Sequence, residues 1–368
     1  MRSKLTGYDV GALLYCPANA HGSIVGAIVE QRFPTPYSLA FCLEDTVRED
    51  AVADAERMLR GTLSRIASAA EGGSFFLPPI FVRVRSPEQL LRLAEEYAPF
   101  SSILRGFILP KFFLENCGAY LAAIRSIGRT EEYFYMPVFE SAAMIPPQTR
   151  REALTEVRAQ LDTVSGSILN IRVGGNDLSH AFGLRRPANR TIYDLRPVAD
   201  ILIDIVAAFG TQYVVSGPVW EYYSGEGWEE GLRREMELDL LNGFTGKTVI
   251  HPNQIPVVNE MLRVSQQDYA DARAILNWDT GSGSLVSASE DGGRMNEYNT
   301  HSRWARRIVL RAERYGVRAG EKGLEFRSDL LYNKPVSTGQ CDGIGRRDGL
   351  KIRWWRHRVG SSPTTGTS

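Results

Sequence analysis

The chain has 368 residues, 43 Lys and Arg against 43 Asp and Glu, and is 43% hydrophobic and 23% charged. That composition is typical of soluble globular proteins and excludes fibrous, low-complexity and disordered chains; the length accommodates one large domain or two ordinary ones. Charge is unevenly spread: residues 335–368 hold 6 Lys and Arg against 2 Asp and Glu, leaving 37 against 41 in the rest, so the main body is mildly acidic and argues against a nucleic-acid surface. Cys16, Cys42, Cys117 and Cys341 lie far apart with no CxxC spacing, which points to reduced thiols in a cytoplasmic setting. The only apolar run near the start, VGALLYC, is too brief for a signal peptide, and no apolar stretch reaches the roughly 18 residues of a membrane span.

Short apolar runs rich in β-branched and aromatic residues alternate with amphipathic stretches over the first 255 residues. The expected strands are Ala12–Pro17, Ser38–Leu43, Ile80–Arg85, Gly106–Pro110, Phe134–Phe139, Ile168–Val173, Tyr213–Ser216 and Thr248–His251. Among the expected helices are Arg48–Ala69, Pro87–Glu96, where Pro87 suits a first turn, and Arg150–Thr163 after the Pro146–Pro147 break. Eight strand–helix units favour a closed parallel (β/α)8 barrel, the TIM-barrel class of α/β folds, over an open sheet. No GxGxxG follows the first strand, which lowers the dinucleotide-binding alternative.

Beyond the barrel, Ile255–Trp278 reads as one helix, Asp279–Ser289 as a Gly/Ser-rich loop and Thr300–Tyr315 as a further helix. The division is therefore a barrel over 1–264, a C-terminal helical extension over 265–320 and an atypical tail over 321–368. The extension would pack across the barrel mouth or onto a neighbouring subunit. From Gly339 the tail mixes paired Trp with clustered Arg; it reads as a disordered or accidental extension, or as a basic aromatic patch for nucleic acid or acidic lipid.

Parallel barrels carry their active sites at the C-terminal strand ends, so the polar residues that follow each run are the candidates. Glu44 and Asp45 end the second strand, either orienting a metal-bound water and accepting protons or serving as charges before the next helix. Arg83 and Arg85 alternate with Val82 and Val84, placing Arg83 to grip a carboxylate and Arg85 nearer the rim; a salt bridge is the alternative. Lys111 fits a Schiff-base amine or, preferably, a charge partner for neighbouring acids. Glu140 and Asp177 stand at the tips of neighbouring strands, where a hard oxygen-seeking divalent ion, Mg2+ or Mn2+, would bind. Gly174 and Gly175 let backbone approach ligand, and His251 is either a base or a hydrogen-bonded structural imidazole.

The ordered segments LLYCPAN, FCLEDTV, VRVRS, FILPKF, MPVFES, GGNDLS and GKTVIHPNQI resemble the HpcH/HpaI aldolase and citrate lyase β-subunit superfamily. VGGNDLSHAFGLRRPANRTIYDLRP, SGPVWEYY and GGRMNEYNTHSRWARRI are similar to the branch described as carbon–carbon bond lyases of the TIM-barrel fold, whose genes accompany stress-response and tellurite-resistance clusters. The resemblance implies a lyase or aldolase acting on a 2-oxo acid or acyl-CoA, with a thioester hydrolase, a malate-synthase-like enzyme or a silent scaffold as alternatives. It implies metal ligation by Glu140 and Asp177, substrate contact by Arg83, and a place beside the metal and its waters for Glu44 and Asp45. Lys111 and His251 match positions of more varied role. Where the family has VRVN this chain has VRVRS, and Arg172, Asn176, His180, Arg185 and Arg186 form a basic cluster suited to a phosphate or a second carboxylate. A trimer or hexamer is implied, with Thr300–Tyr315 completing a neighbour's site.

Overall fold

The structure, a computed structural model, describes residues 5–19, 23–128, 132–279, 281 and 283–318. The tail from Gly339, and the expectation attached to it, lie outside the described residues. Eight parallel strands close into a barrel in sequence order: β1 (Ala12–Pro17), β2 (Ser38–Cys42), β3 (Ile80–Arg83), β4 (Leu104–Leu109), β5 (Phe134–Phe139), β6 (Ile171–Val173), β7 (Val215–Gly217) and β8 (Phe244–Val249). The ring shuts where Ala12, Leu13 and Leu14 of β1 pair with Lys247, Thr248 and Val249 of β8. The (β/α)8 class expected from the strand count is what the chain adopts.

Among the described residues, nine helices make the outer layer and its loops: α1 (Ile24–Val29), α2 (Val52–Gly72), α3 (Pro87–Glu96), α4 (Leu114–Ile127), α5 (Pro147–Asp162), α6 (Gly175–Ala181), α7 (Arg196–Phe209), α8 (Trp228–Leu241) and α9 (Gln254–Leu262). α3 shows how the sequence sets them: Pro87 occupies the first turn, the Ser86 hydroxyl accepts from the Gln89 amide at 3.2 Å, and Leu90, Leu93 and Ala94 are buried. Each such leucine stabilises the layer by roughly 2 kcal/mol.

Strand alternation sorts the residues into two cores. Leu14, Leu39, Phe41, Val82, Phe107, Phe139 and Ile171 face the helices, whereas Leu13, Ala40, Phe81, Ile108, Met136 and Val138 form a separate cluster inside the barrel. Two residues further along the same inward rows stand Tyr15, Cys42, Arg83 and Glu140, so polar chemistry begins where the apolar plug ends.

Several boundaries differ from the sequence expectation. β8 begins at Phe244, not Thr248, because Lys247 is buried toward α8 with its ammonium 2.8 Å from Glu235 and 2.7 Å from Asp239. β6 is shorter than expected; Ile168 makes only an isolated bridge to Tyr135. The expected single helix Ile255–Trp278 is two, α9 and α10 (Gln266–Leu276), parted where Val264 pairs with Val317 and the Ser265 hydroxyl caps the Asp268 amide at 3.0 Å. The loop Asp279–Ser289 contains a short strand, β9 (Val286–Ala288), antiparallel to β10 (Met295–Glu297).

The last helix, α11 (Tyr298–Tyr315), packs on α10 through Ala305, Ile308 and Ala312. It lies against segments that precede the strands, not against the mouth: Arg314 pairs with Asp9 at 3.2 Å, Arg307 donates to the Gly243 carbonyl at 2.7 Å, and the Tyr315 hydroxyl donates to the Tyr8 carbonyl. Packing across its own barrel mouth is thereby corrected to packing at the opposite end.

One close approach fixes the sheet at the end of the barrel opposite the site. A Cβ on Gly106 of β4 would lie 1.8 Å from the Phe134 carbonyl oxygen of β5, beside the register irregularity that β4 makes with β3. Gly106→Ala should therefore lower stability by about 3 kcal/mol or more, read as a shifted guanidinium chloride midpoint; an unchanged midpoint would contradict the packing.

Candidate active site

A cavity of about 350 Å3 opens at the C-terminal end of the barrel, lined among others by Tyr15, Asp45, Arg83, Glu140, Arg172, Gly174, Gly175, Asn176, Asp177, Arg185 and Thr248. Most of the expected residues are therefore brought together.

Glu140, immediately after β5, is 5% exposed. Its Oε1 accepts from Arg83 Nη2 at 2.9 Å and from the Lys111 backbone N–H at 3.0 Å. Lys111 turns that amide inward by adopting a left-handed backbone, φ 49°, which is uncommon for a non-glycine residue. A Cβ on Gly174 would stand 2.2 Å from Glu140 Oε2, so only glycine leaves this carboxylate its place. Gly175 is equally constrained, its missing Cβ falling 2.7 Å from Pro218 Cβ.

Asp177 enters from the first turn of α6 and meets Glu140. Burial, reinforced by the Asp177 charge and a hydrogen bond between the two acids, pushes the Glu140 carboxyl up to about 8 despite Arg83. Two acids that resist joint ionisation, at the tips of β5 and β6, suit a shared cation. Among the described residues no three His, Cys, Asp or Glu side chains gather as a metal cluster. A cation here would thus take two carboxylates and complete its shell from water or ligand oxygens, as Mg2+ does readily. The donor set fits a hard ion.

Arg83 is the hub of the acids. Its Nη2 lies 2.6 Å from Glu44, 2.8 Å from Asp45 and 2.9 Å from Glu140. Burial disfavours its charge, but the surrounding acids outweigh it and hold the guanidinium firmly protonated. Glu44 stays behind Arg83, with burial raising its carboxyl above the usual range. Asp45 is more open, and although burial opposes ionisation, the Glu44 hydrogen bond, Arg83 and Lys111 pull its carboxyl below the usual range. Lys111 Nζ lies 2.8 Å from Glu44 and 3.4 Å from Asp45, and the Glu44 hydrogen bond raises its ammonium. It is a charge partner; the Schiff-base alternative, which needs a lowered value, has no support in its surroundings.

Arg85, expected nearer the rim or in a salt bridge, takes the salt-bridge role outside the cavity: its Nη1 donates to the carbonyls of Leu43, Glu44 and Val47 at 3.0–3.2 Å and its Nη2 meets Glu49 at 2.5 Å, so it braces the loop that carries Glu44 and Asp45. Other expectations need correction. His251, a candidate base or ligand contact, fits instead its alternative as a hydrogen-bonded structural imidazole: it lies two residues past the end of β8, its ring stacks on Tyr223 at 4.5 Å and its Nδ1 accepts from the Asn253 amide at 3.1 Å. Ile250, not His251, lines the cavity. The basic cluster also divides. Arg172, Asn176 and Arg185 line the cavity, His180 is exposed beside it, and Arg186 is buried against Glu235 at 2.9 Å and over the Trp220 ring. Sequence reasoning missed Tyr15 and Thr248, both readable as inward positions once strand parity is applied to β1 and β8.

Comparison with known proteins places the chain in a family. Residues 4–317 match the family described as C–C bond lyase of the TIM-barrel fold. A (3S)-malyl-CoA thioesterase of Cereibacter sphaeroides is 26% identical over 303 residues, covering 82% of this chain and 94% of that protein. Among solved structures, CitE from Mycobacterium tuberculosis in complex with magnesium, acetoacetate and coenzyme A is 20% identical with a TM-score of 0.54, covering 82% of this chain and 98% of that one. A citrate lyase from Burkholderia xenovorans LB400 is 14% identical with a TM-score of 0.59, covering 84% of this chain and 94% of that one. The structural likenesses show the fold.

The Glu140 shift has a sign that can be measured. Its folded value, about 8, exceeds the ordinary 4.5, so the folded chain binds more protons between those values and stability falls as pH rises through that window. Melting of EDTA-treated protein should therefore drop between pH 5.5 and 8.5 by more in the wild type than in Glu140→Gln. Parallel curves would remove the raised carboxyl.

Proposed function

The chain belongs to the carbon–carbon bond lyases of the TIM-barrel fold, and from that premise we propose that it makes or breaks a carbon–carbon bond next to the carbonyl of a 2-oxo acid or acyl thioester. The observation that carries this reading is the pair Glu140 and Asp177, a buried carboxyl pushed up by burial and by its acidic neighbour, in one cavity beside two guanidinium groups. Mg2+ would be held by these two carboxylates and, when bound, supplies Lewis-acid polarisation of the carbonyl worth several kcal/mol. The CitE structure with magnesium and acetoacetate supports the choice of ion and the kind of ligand.

The chain's own residues do the rest. Arg83 fixes the Glu140 carboxylate and offsets part of the local negative charge, so the acids remain aimed at the cavity. Lys111 and Arg85 hold Glu44 and the loop bearing Asp45, which anchors the other side of Arg83. In the cleavage direction the proton leaves a hydroxyl oxygen on the carbon β to the carbonyl. The carbon–carbon electron pair then passes to the carbonyl side as an enolate, and a carbonyl product departs; reprotonation at carbon completes the balance. Asp45, whose carboxyl stays ionised, and the Tyr15 hydroxyl both line the cavity and are the candidates to carry this proton.

A second reading rests on the thioesterase relative: water cleaves the acyl carbon–sulfur bond and releases the CoA thiol with the carbon skeleton intact. Product analysis separates the two. With Mg2+, the lyase reading yields two carbon fragments, whereas hydrolysis yields free thiol and an uncleaved acid. Glu140→Ala and Asp177→Ala should each lower turnover by about 4 kcal/mol, roughly a thousandfold. Turnover unchanged in EDTA would sink the metal-dependent mechanism.

A further inference from the structure

The two guanidinium groups deep in the cavity differ in one respect. Arg83 is surrounded by carboxylates. Arg172, on the inward face of β6 and only 1% exposed, meets none. Its Nη1 donates to Asn170 Oδ1 at 3.4 Å, its Nη2 to the Thr248 hydroxyl, the Tyr15 hydroxyl is a further neighbour, and its Nε has no hydrogen-bond partner. All of these partners are neutral. A guanidinium does not give up its proton in a protein, so a full positive charge is buried there without a counter-charge. Burial disfavours that charge, and Arg83 adds like-charge repulsion.

Buried charges in folded proteins are paired or coordinated. Asn170 and Thr248 fix the side chain, so it is preorganised for an anion that the fold itself does not supply. Arg172 lines the same cavity as Glu140 and Asp177, and about 350 Å3 is near the small end for ligand sites. A compact molecule therefore spans both ends.

We propose that Arg172 receives a second carboxylate, remote from the reacting carbonyl, so that the cavity selects small dicarboxylic acids over monocarboxylic acids of the same chain length. The inference rests on the lyase reading of this site. One guanidinium matches one carboxylate charge; a phosphate, carrying about −1.5 to −2, would leave surplus negative charge close to Glu140 and Asp177.

The test is calorimetric titration of the Mg2+-loaded protein with 2-oxopentanedioate and with 2-oxopentanoate. The wild type should bind the diacid at least about tenfold more tightly, as a charge-assisted hydrogen bond predicts. Arg172→Met should erase that preference by weakening the diacid alone, while Arg172→Lys, which keeps the charge, should retain part of it. A wild type without the preference, a diacid that fails to bind, or a preference that survives in Arg172→Met overturns the proposal. Failure of the lyase reading shows differently, as binding of both acids that ignores Mg2+ and the Glu140→Ala change.

Discussion

Everything at this site depends on holding one buried carboxylate, Glu140, where a second acid can reach it. Burial and the neighbouring acid push its carboxyl up to about 8, so it ionises only with help from its partners. Here Arg83 and the Lys111 amide each contribute a hydrogen bond to Oε1, while the missing Cβ of Gly174 leaves room for Oε2. Arg83 in turn is set by Glu44 and Asp45, Glu44 by Lys111, and their loop by Arg85. The dependence runs outward in order, from a carboxylate to a guanidinium to a braced loop, and each link comes from a different strand end. This is why the barrel, which brings distant strand ends together, is the scaffold that can carry it.

Much of this order was legible before any coordinates. β1 and β5 fall where the apolar runs place them, and α3 was readable from the proline in its first turn. The acids at strand tips were readable for the same reason: period two carries an inward row from apolar plug to polar rim. What escaped was long-range compensation. Gly246 and Lys247 precede the expected strand start at Thr248, yet they belong to β8 because Glu235 and Asp239 of α8 neutralise the lysine. Starting that strand too late also displaced His251 into the site on paper, whereas the earlier end leaves it on the rim beside Tyr223. Likewise, nothing local separates α9 from α10 with the force of the Val264–Val317 pairing, a contact between residues far apart in the chain. Arg83 and Arg85 fall in one alternating row, but β3 ends at Arg83, and beyond a strand end alternation no longer dictates direction, so Arg85 turns to the loop after β2.

The buried charges of the barrel fall into two groups, and the division carries functional information. Outside the cavity they are matched. Arg150 pairs with Asp204 at 2.7 Å, Arg186 with Glu235, and Lys247 with Glu235 and Asp239, the last also accepting from the Tyr193 hydroxyl at 2.8 Å. Such networks orient elements against one another and leave no charge for another molecule to satisfy. Inside the cavity the matching fails twice, in opposite senses: Glu140 is crowded by Asp177 so that its carboxyl resists ionising and is pushed up to about 8, and Arg172 stands with positive charge unmet. A fold that neutralises its buried ions elsewhere tolerates these two only where something arrives to complete them. The negative mismatch calls for a cation and the positive one for an anion, and both open onto the same small space. Perturbed groups cluster at functional sites; here the signs of the perturbations also describe what the site is built to hold.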